Sequence, residues 1–331
     1  MTSLRSFWLT LAGLAAVVWA ASLIYAQQQH IPSRVVSAVA PALFLELAFY
    51  FSTGFAAVRD RLSLLRPGLL SGLLLVSALL PATLYPALLG TLEAKDTLVL
   101  LALAGVVVGW YHLLPRNVYA DCGLIAFLIA VTLLKGRFFR DLYPDAGPLR
   151  MDFLGQLMWI RLSVFVMLLI RRAEGIGYGF WPTKQEWQIG ARQFITALPF
   201  VAATGFALGN MRLATPNNIP VAALPLYAVA IFIVIFLVVA LSEEFLLRGL
   251  ILRRLIGLTH SIQVATLLAA IISGLVHLPF RGPWNWKFAI LSAVAHWFFG
   301  QAFLEAKSIR ASMVAHALLV TVWFVAFAKS A

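Results

Sequence analysis

Two adjacent glutamates, Glu243 and Glu244, follow a long apolar run in the last third of the chain. On a helix, Glu244 and Arg248 lie four residues apart on one face, so we expect them to form an ion pair. Glu243 points about 100° away from Glu244 and lacks that partner. A carboxylate in apolar surroundings beside a second carboxylate suits a general base. The alternative is a helix end whose glutamates reach into a membrane interface.

Three histidines, His277, His296 and His316, follow within apolar segments. A single buried histidine in a membrane helix is most often an interhelical hydrogen-bonding contact. Three of them after a double glutamate indicate a site. A glutamate with two or three histidines could bind zinc, or could activate a water and stabilise an oxyanion without a metal. The residue types leave both chemistries open.

The elements that must position these residues are apolar helices. Of the 331 residues, 62% are hydrophobic and 11% are charged. Soluble domains are about 45–50% apolar and about 25% charged, so lipid must cover much of this surface. We therefore predict an all-α fold, a polytopic transmembrane helical bundle. About eleven stretches are long enough to span a bilayer, and they run near 7–26, 35–57, 68–91, 97–114, 118–134, 153–170, 194–212, 223–250, 261–279, 286–304 and 311–328.

Composition excludes several classes of protein and site. Cys122 is the only cysteine, so an intrachain disulfide and a cysteine zinc site are excluded. The net charge of +12 comes from Lys and Arg in loops and at helix ends, which indicates contact with anionic lipid rather than nucleic acid. The first apolar run is long and ends in a poor cleavage site at residues 24–26, which favours an anchored helix over a signal peptide. Loop charges favour a cytoplasmic N-terminus by a narrow margin.

A connector at 171–193 combines charge, glycines and a proline, and it is the best candidate for a boundary between two helical bundles. We predict N-terminal transmembrane helices of unknown role at 1–190 and a second domain at 191–328. In the first, Glu46 lies within an apolar helix, where a charge costs about 2.5–3.5 kcal/mol. Its expected partner is Arg161, and we predict a structural role for the pair.

The C-terminal region resembles the CAAX protease and bacteriocin-processing (CPBP, or ABI) family of intramembrane proteases. The first family motif, Glu-Glu-x-x-x-Arg, is matched in full by Glu243, Glu244 and Arg248, and Gly249 follows it as is usual there. The resemblance covers about residues 190–328. The residues before it match no family that we can name.

The other two family motifs are matched in part. His277 lies where the histidine of Phe-x-x-x-His is expected, but Ser273 replaces the phenylalanine. His316 is similar to the histidine of the third motif, in which an Asn or Asp follows four residues later. Val320 occupies that position here. Loss of an oxyanion-hole side chain costs about 10²–10³ in rate, and we expect Ser312 to compensate for it.

The resemblance implies a role for each of these residues. Glu243 would activate the attacking water with help from His277, and His316 would stabilise the oxyanion. Glu244 and Arg248 would hold the helix in place. Members of the family cut substrates near the membrane, including prenylated C-terminal tails in eukaryotes, and bacterial relatives act in bacteriocin immunity, protein maturation and sorting.

The resemblance also implies the partners and the location of the protein. The expected partners are a peptide or protein substrate at the membrane and the lipid bilayer itself, with no nucleic acid. The expected location is a multi-pass position in the bacterial inner (plasma) membrane. A glutamate mechanism without a cofactor is the preferred prediction, and zinc remains the alternative.

Helix geometry gives a depth for each candidate residue. At 1.5 Å per residue, Glu243 lies about 14 Å from one membrane face, His316 about 8 Å, His277 about 24 Å and His296 about 12 Å. Straight helices therefore favour His296 as the neighbour of Glu243. A tilted or shortened ninth span would bring His277 into reach. We retain His277 as catalytic on motif spacing and His296 as a supporting residue.

Three functions remain open at this point. An intramembrane endopeptidase predicts that Glu243, His277 and His316 converge on one site. A catalytically inactive relative that acts in binding or immunity is supported by Val320. A proton-coupled transporter would use Glu46, Arg161 and Glu243 as a proton pathway, but such transporters often show internal repeats, and the sequence contains none that we detect.

Overall fold

The computed structural model describes residues 3–133, 135–214, 219–280, 282 and 284–328. Within these residues the chain is mainly helical, and one short antiparallel pair joins β1 (Arg212–Leu213) to β2 (Phe327–Ala328). The helices are α1 (Leu4–Gln28), α2 (Ser33–Ser52), α3 (Ala56–Ser63), α4 (Pro67–Leu89), α5 (Ala94–Leu113), α6 (Val118–Leu133), α7 (Lys135–Leu142), α8 (Asp152–Ile170), α9 (Lys184–Ala207), α10 (Val221–Thr259), α11 (Ile262–Val276), α12 (Trp286–Ala306) and α13 (Ile309–Ala326).

The predicted all-α membrane bundle is confirmed, but the count of eleven spans is not. Eight helices among the described residues are long and apolar enough to cross a membrane, namely α1, α2, α4, α5, α8, α10, α12 and α13. Helices α6 and α11 have 16 and 15 residues, fewer than the roughly 20 that a perpendicular span needs. Helix α9 is long, but charged residues occupy its first turns. Residue 134, the last of the predicted 118–134 span, lies outside the described residues.

The chain divides into two compact units, Met1–Glu174 and Gly175–Ala331. The division falls within the 171–193 connector. The functional boundary drawn from the sequence, between 1–190 and 191–328, stays a prediction.

The first unit contains a buried ion pair that joins three helices. Arg161 on α8 donates from Nε and Nη2 to the two carboxylate oxygens of Glu46 on α2, at 2.6 and 3.0 Å. It also donates to the side chain and backbone of Ser77 on α4. Both charged side chains are at most 1% exposed. The predicted partnership of Glu46 with Arg161 is confirmed, and its hydrogen bonds offset the cost of burying the two charges.

A second pair lies at the end of α8 in the same unit. Arg171 donates from Nε and Nη2 to the carboxylate of Asp121 on α6, at 2.7 and 3.0 Å. Tyr111 on α5 donates to the same carboxylate at 2.7 Å. The carboxylate of Asp121 holds the pKa of the Arg171 guanidinium above its ordinary value. The carboxylates of Glu46 and Asp121 are therefore each enclosed by donors, as expected for structural ion pairs.

We predict that Arg161→Met destabilises the protein by about 3–5 kcal/mol, because it leaves the Glu46 carboxylate buried without its partner. The double variant Glu46→Leu with Arg161→Met should recover most of that loss, since both charges are then gone. Denaturant titration of the purified protein in detergent micelles measures both free energies of unfolding. Equal losses in the single and double variants would contradict this account.

The second unit is built around helices α9, α12 and α13. Small residues on these helices are fully buried and let the backbones approach closely, as is common in membrane bundles. A Cβ at Gly190 on α9, for example, would lie 2.5 Å from the carbonyl oxygen of Ala311 on α13. The buried side chains of this core are Ile189, Ala197, Val201, Met211, Leu291, Ala295, Phe299, Ala302, Ala311, Ala315 and Leu319.

The start of α13 is tied to the segment before α9. Ser308 caps the helix and donates from Oγ to the carbonyl of Gly177 at 3.0 Å. Arg310 donates to Glu186, in the first turn of α9, at 2.8 Å. Burial raises the pKa of Glu186, but hydrogen bonds from the Thr183 backbone and Arg310, together with the positive charge of Arg310, outweigh burial and hold that pKa below its ordinary value.

Helix α10 runs without a break over 39 residues and is wound in an unusual way near its double glutamate. The turns at Ile235–Ala240 and Phe245–Leu252 are π-helical, and the short α-helical turn Leu241–Glu244 lies between them. Such wide turns are rare and frequently occur at functional sites. Here they set the directions in which the side chains of Glu243, Glu244 and Arg248 leave the helix.

Helices α11 and α12 pack closely because Gly274 has no side chain. A Cβ at this position would lie 2.6 Å from the carbonyl oxygen of Ala289. Two of the candidate histidines, His277 and His296, follow Gly274 and Ala289 in the chain. The spacing of this helix pair therefore controls the separation of their rings.

We predict that Gly274→Ala pushes α11 and α12 apart and destabilises the protein by about 1–3 kcal/mol. Gly257→Ala is the matched control, because a Cβ there meets nothing within 4 Å. Thermal unfolding in micelles should show a lower Tm for Gly274→Ala and no decrease for Gly257→Ala. The same loss of Tm in both variants would refute the packing argument.

Candidate active site

Four helices of the second unit bring the candidate residues to one place. Glu243 and Glu244 lie on α10, and His277 directly follows the last residue of α11. His296 lies on α12 and His316 on α13. The two glutamates and three histidines predicted from the sequence thus belong to a single cluster.

Glu243 lies at the centre of the three histidines. Its Oε2 atom is 3.7 Å from Nε2 of His277, 3.7 Å from Nε2 of His296 and 4.0 Å from Nε2 of His316. The Glu243 side chain is 30% exposed, whereas Oε2 itself is buried and has no hydrogen-bond partner among the described residues. All three rings therefore present the same nitrogen to one carboxylate oxygen, at distances longer than a hydrogen bond.

Glu244 and Arg248 form the expected ion pair behind this centre, and both are buried. Arg248 Nε is 3.2 Å from Glu244 Oε2, and Nη1 donates to Oε1 at 3.3 Å. Glu244 Oε1 also lies 2.8 Å from Nδ1 of His316. Arg248 Nη1 lies 2.7 Å from Nδ1 of His296, and Nη2 donates to the His296 backbone carbonyl. The ion pair therefore contacts the Nδ1 atoms of His296 and His316, on the side of each ring away from Glu243.

His277 reaches the cluster because α11 is short. The helix ends at Val276 after 15 residues, and His277 occupies its C-cap. Its Nδ1 lies 2.7 Å from the carbonyl oxygen of Ser273, one turn earlier. His277 and His296 are thus equidistant from Glu243 Oε2, although depths along straight helices favour His296 alone.

Aromatic packing that sequence reasoning missed supports the rings. Phe299 stacks on His316 with ring centroids 4.8 Å apart and meets His296 edge-on at 5.2 Å. The Arg248 guanidinium carbon lies over the Phe299 ring, 5.8 Å from its centroid. The one signal in the sequence is that Phe299 follows His296 by three residues, which puts both on one helix face.

The third family motif has an Asn or Asp four residues after its histidine, and this chain has no polar side chain at that position. Val320 lies one turn after His316 on α13. Ser312, expected to compensate, is buried and donates from Oγ to the carbonyl of Ile309 at 2.9 Å. Its compensating role stays a prediction.

By distance, part of the cluster suits a metal ion. One oxygen of Glu243 and one nitrogen each of His277 and His296 lie within 4.8 Å of one another. Ligand atoms of a tetrahedral zinc ion lie about 3.3 Å apart at zinc–nitrogen distances of about 2.0–2.1 Å. A small adjustment of the side chains would bring the three atoms to that separation.

The fold and the cluster together define a membrane-embedded helical domain with paired carboxylates and histidines at its centre. Residues 225–322 match the family model for type II CAAX prenyl endopeptidase, Rce1-like. This segment is therefore an Rce1-like domain of the CPBP/ABI family, a family of peptidases, as the motifs predicted. No curated protein and no solved structure matches the chain. The matched segment contains every candidate site residue, and residues 1–224 lie outside it.

We predict unequal effects on stability from removing the charges of the two adjacent glutamates. Glu244→Gln leaves the buried Arg248 guanidinium without a carboxylate, which should cost about 3–5 kcal/mol. Glu243→Gln should change the free energy of unfolding by less than about 1 kcal/mol, since its Oε2 makes no hydrogen bond with the described residues. Denaturant titration in micelles compares the two, and a larger loss for Glu243→Gln would contradict these assignments.

Proposed function

We propose that the protein is an intramembrane endopeptidase that hydrolyses a peptide bond of a membrane-associated peptide or protein substrate with a water activated by Glu243. The peptidase family of the Rce1-like domain supports this proposal. The observation that carries it is the Oε2 atom of Glu243, which makes no hydrogen bond with the described residues and lies 3.7–4.0 Å from three imidazole nitrogens. The corresponding oxygen of the structural Glu244 has the Arg248 guanidinium 3.2 Å away, whereas a base must keep a lone pair for its substrate.

In the proposed first step, Glu243 takes a proton from water as the water oxygen attacks the carbonyl carbon of the scissile bond. The carbonyl π electrons move to the oxygen and form a tetrahedral oxyanion. His277 presents Nε2 on the same side and would orient the water. In the second step, the oxyanion collapses and the carbon–nitrogen bond breaks. Glu243 returns the proton to the leaving amine, so that the carboxylate is regenerated.

His316 and the ion pair behind it complete the proposed machinery. His316 faces Glu243 with Nε2 and is held through Nδ1 by Glu244. In this position it can donate a hydrogen bond to the oxyanion when its ring is protonated, which is the role that the family resemblance implies. Arg248 balances the charge of Glu244, so that Glu244 is a positioning residue and Glu243 is the base.

Zinc is the alternative to this mechanism. If bound, it would be held by Glu243 and His277 with a third ligand, and it would act as a Lewis acid on water or on the carbonyl. The steps above use only the side chains of the protein. The location of the protein in the bacterial inner membrane stays a prediction.

The inactive relative is the second candidate function, and Val320 favours it. A domain that only binds a partner would keep the ion pairs and the packing, but it would not need an accessible base. The partial exposure of Glu243, at 30%, favours the peptidase over this alternative.

We predict that Glu243→Gln abolishes the appearance of specific protein termini in membranes of cells that express the protein. The substitution keeps the shape of the side chain and removes the base. Quantitative proteomics of protein termini compares the wild type, Glu243→Gln and the control Glu305→Gln. Glu305 is a suitable control because it pairs with Arg192 at the surface of the same unit, outside the cluster.

Termini that vanish in Glu243→Gln and persist in Glu305→Gln would support the peptidase and identify its substrates. If all three samples had the same termini while both variants folded normally, the peptidase would be rejected in favour of the inactive relative.

A further inference from the structure

The hydrogen bonds behind the three rings determine which nitrogen of each ring carries the proton. His277 Nδ1 lies 2.7 Å from the carbonyl oxygen of Ser273, which can only accept, so this nitrogen donates. His316 Nδ1 lies 2.8 Å from a carboxylate oxygen of Glu244, which is ionised in its pair with Arg248 and also accepts. In their neutral forms, His277 and His316 therefore direct an Nε2 lone pair at Glu243.

His296 has the opposite arrangement. Its Nδ1 lies 2.7 Å from Nη1 of Arg248, and a guanidinium has only donors. Nδ1 must then accept, and a neutral ring carries its proton on Nε2. That nitrogen is the one that lies 3.7 Å from Glu243 Oε2.

The contact between Arg248 and His296 is well fixed. Arg248 also donates through Nη2 to the backbone carbonyl of His296, so that one guanidinium forms hydrogen bonds with both the ring and the backbone of the same residue. The side chains are 1% and 3% exposed, respectively. Water is thus largely excluded as a competing partner for Nδ1.

We infer that Arg248 locks His296 with its proton on Nε2, so that His296 is a fixed hydrogen-bond donor at the candidate active site and not a metal ligand. The tautomer follows from the contacts alone. Its catalytic consequence rests on the proposed function: His296 would donate to the oxyanion that forms beside Glu243. His316 can donate from Nε2 only as an imidazolium, whereas His296 donates as a neutral ring.

The same contact decides how well the cluster fits zinc. A metal binds an imidazole through a lone pair, and Nε2 of His296 has none while Nδ1 accepts from Arg248. Moving the proton to Nδ1 would place two donors face to face at 2.7 Å. The set of Glu243, His277 and His296 therefore fits a zinc ion by distance but not by its lone pairs.

Nitrogen-15 NMR of the histidine-labelled, full-length protein in micelles tests the tautomers directly. Single His→Gln variants assign the three signals. We expect a protonated Nε2 and an unprotonated Nδ1 for His296, with the reverse pattern for neutral His277 and His316. Addition of zinc chloride should leave the Nε2 proton of His296 in place. A protonated Nδ1 on neutral His296, or loss of its Nε2 proton on zinc addition, would overturn the inference.

Two substitutions test the catalytic consequence. His296→Asn keeps an oxygen near the position of Nδ1 to accept from Arg248, but removes the donor at the position of Nε2. His296→Gln places an amide N–H near the position of Nε2. With a cleavable substrate, we expect His296→Asn to lower kcat about 10²–10³-fold with little change in KM, and His296→Gln to recover part of that loss.

Wild-type kcat in a folded His296→Asn variant would refute the donor role. If the wild type cleaves no substrate, the proposed function fails, and the NMR pattern still decides whether Arg248 sets the tautomer of His296. The two failures are therefore distinguishable.

Discussion

The buried pair of Glu244 and Arg248 is the interaction on which the candidate active site depends. Two opposite charges on one helix are removed from solvent, and each also makes hydrogen-bonding contacts with a neighbouring helix. Glu244 contacts His316 on α13, and Arg248 contacts both the ring and the backbone of His296 on α12. An ion pair in such surroundings persists only when further hydrogen bonds satisfy its atoms. The requirement to bury these charges thus also orients two of the three imidazole rings.

The buried carboxylates of this protein show the difference between a structural and a functional acid. Glu46 receives a bidentate arginine, and Asp121 receives an arginine and a tyrosine. Oε2 of Glu244 makes no hydrogen bond among the described residues, but the Arg248 guanidinium lies 3.2 Å from it. The buried Oε2 of Glu243 also lacks a hydrogen bond among these residues, and the imidazole nitrogens around it lie at 3.7–4.0 Å. An unsatisfied buried acceptor has a cost in free energy. A general base that must accept a proton from water needs a free lone pair, and this need is a physical reason to tolerate that cost.

Much of the architecture follows from the amino-acid sequence. Apolar composition and segment length determine a helical membrane protein, because buried backbone groups in lipid must bond within their own helix. The spacing of Glu244 and Arg248 determines their ion pair, since residues four apart share a helix face. The family motifs also identify His277 and His316. The count of eleven spans is not confirmed, because α6 and α11 have 16 and 15 residues among the described residues and charged residues occupy the first turns of α9.

Only the tertiary structure decided how the histidines are used. Depth along ideal helices separates His277 from Glu243, yet an early end of α11 and the close packing at Gly274 bring His277 as near as His296. The partner of each Nδ1 atom is likewise a product of packing, because Ser273, Glu244 and Arg248 reach the rings from different directions. Residue types and spacing determined which groups could do chemistry in this protein. Which nitrogen of each ring faces Glu243, and whether it carries a proton, depends on contacts between helices that are far apart in the sequence.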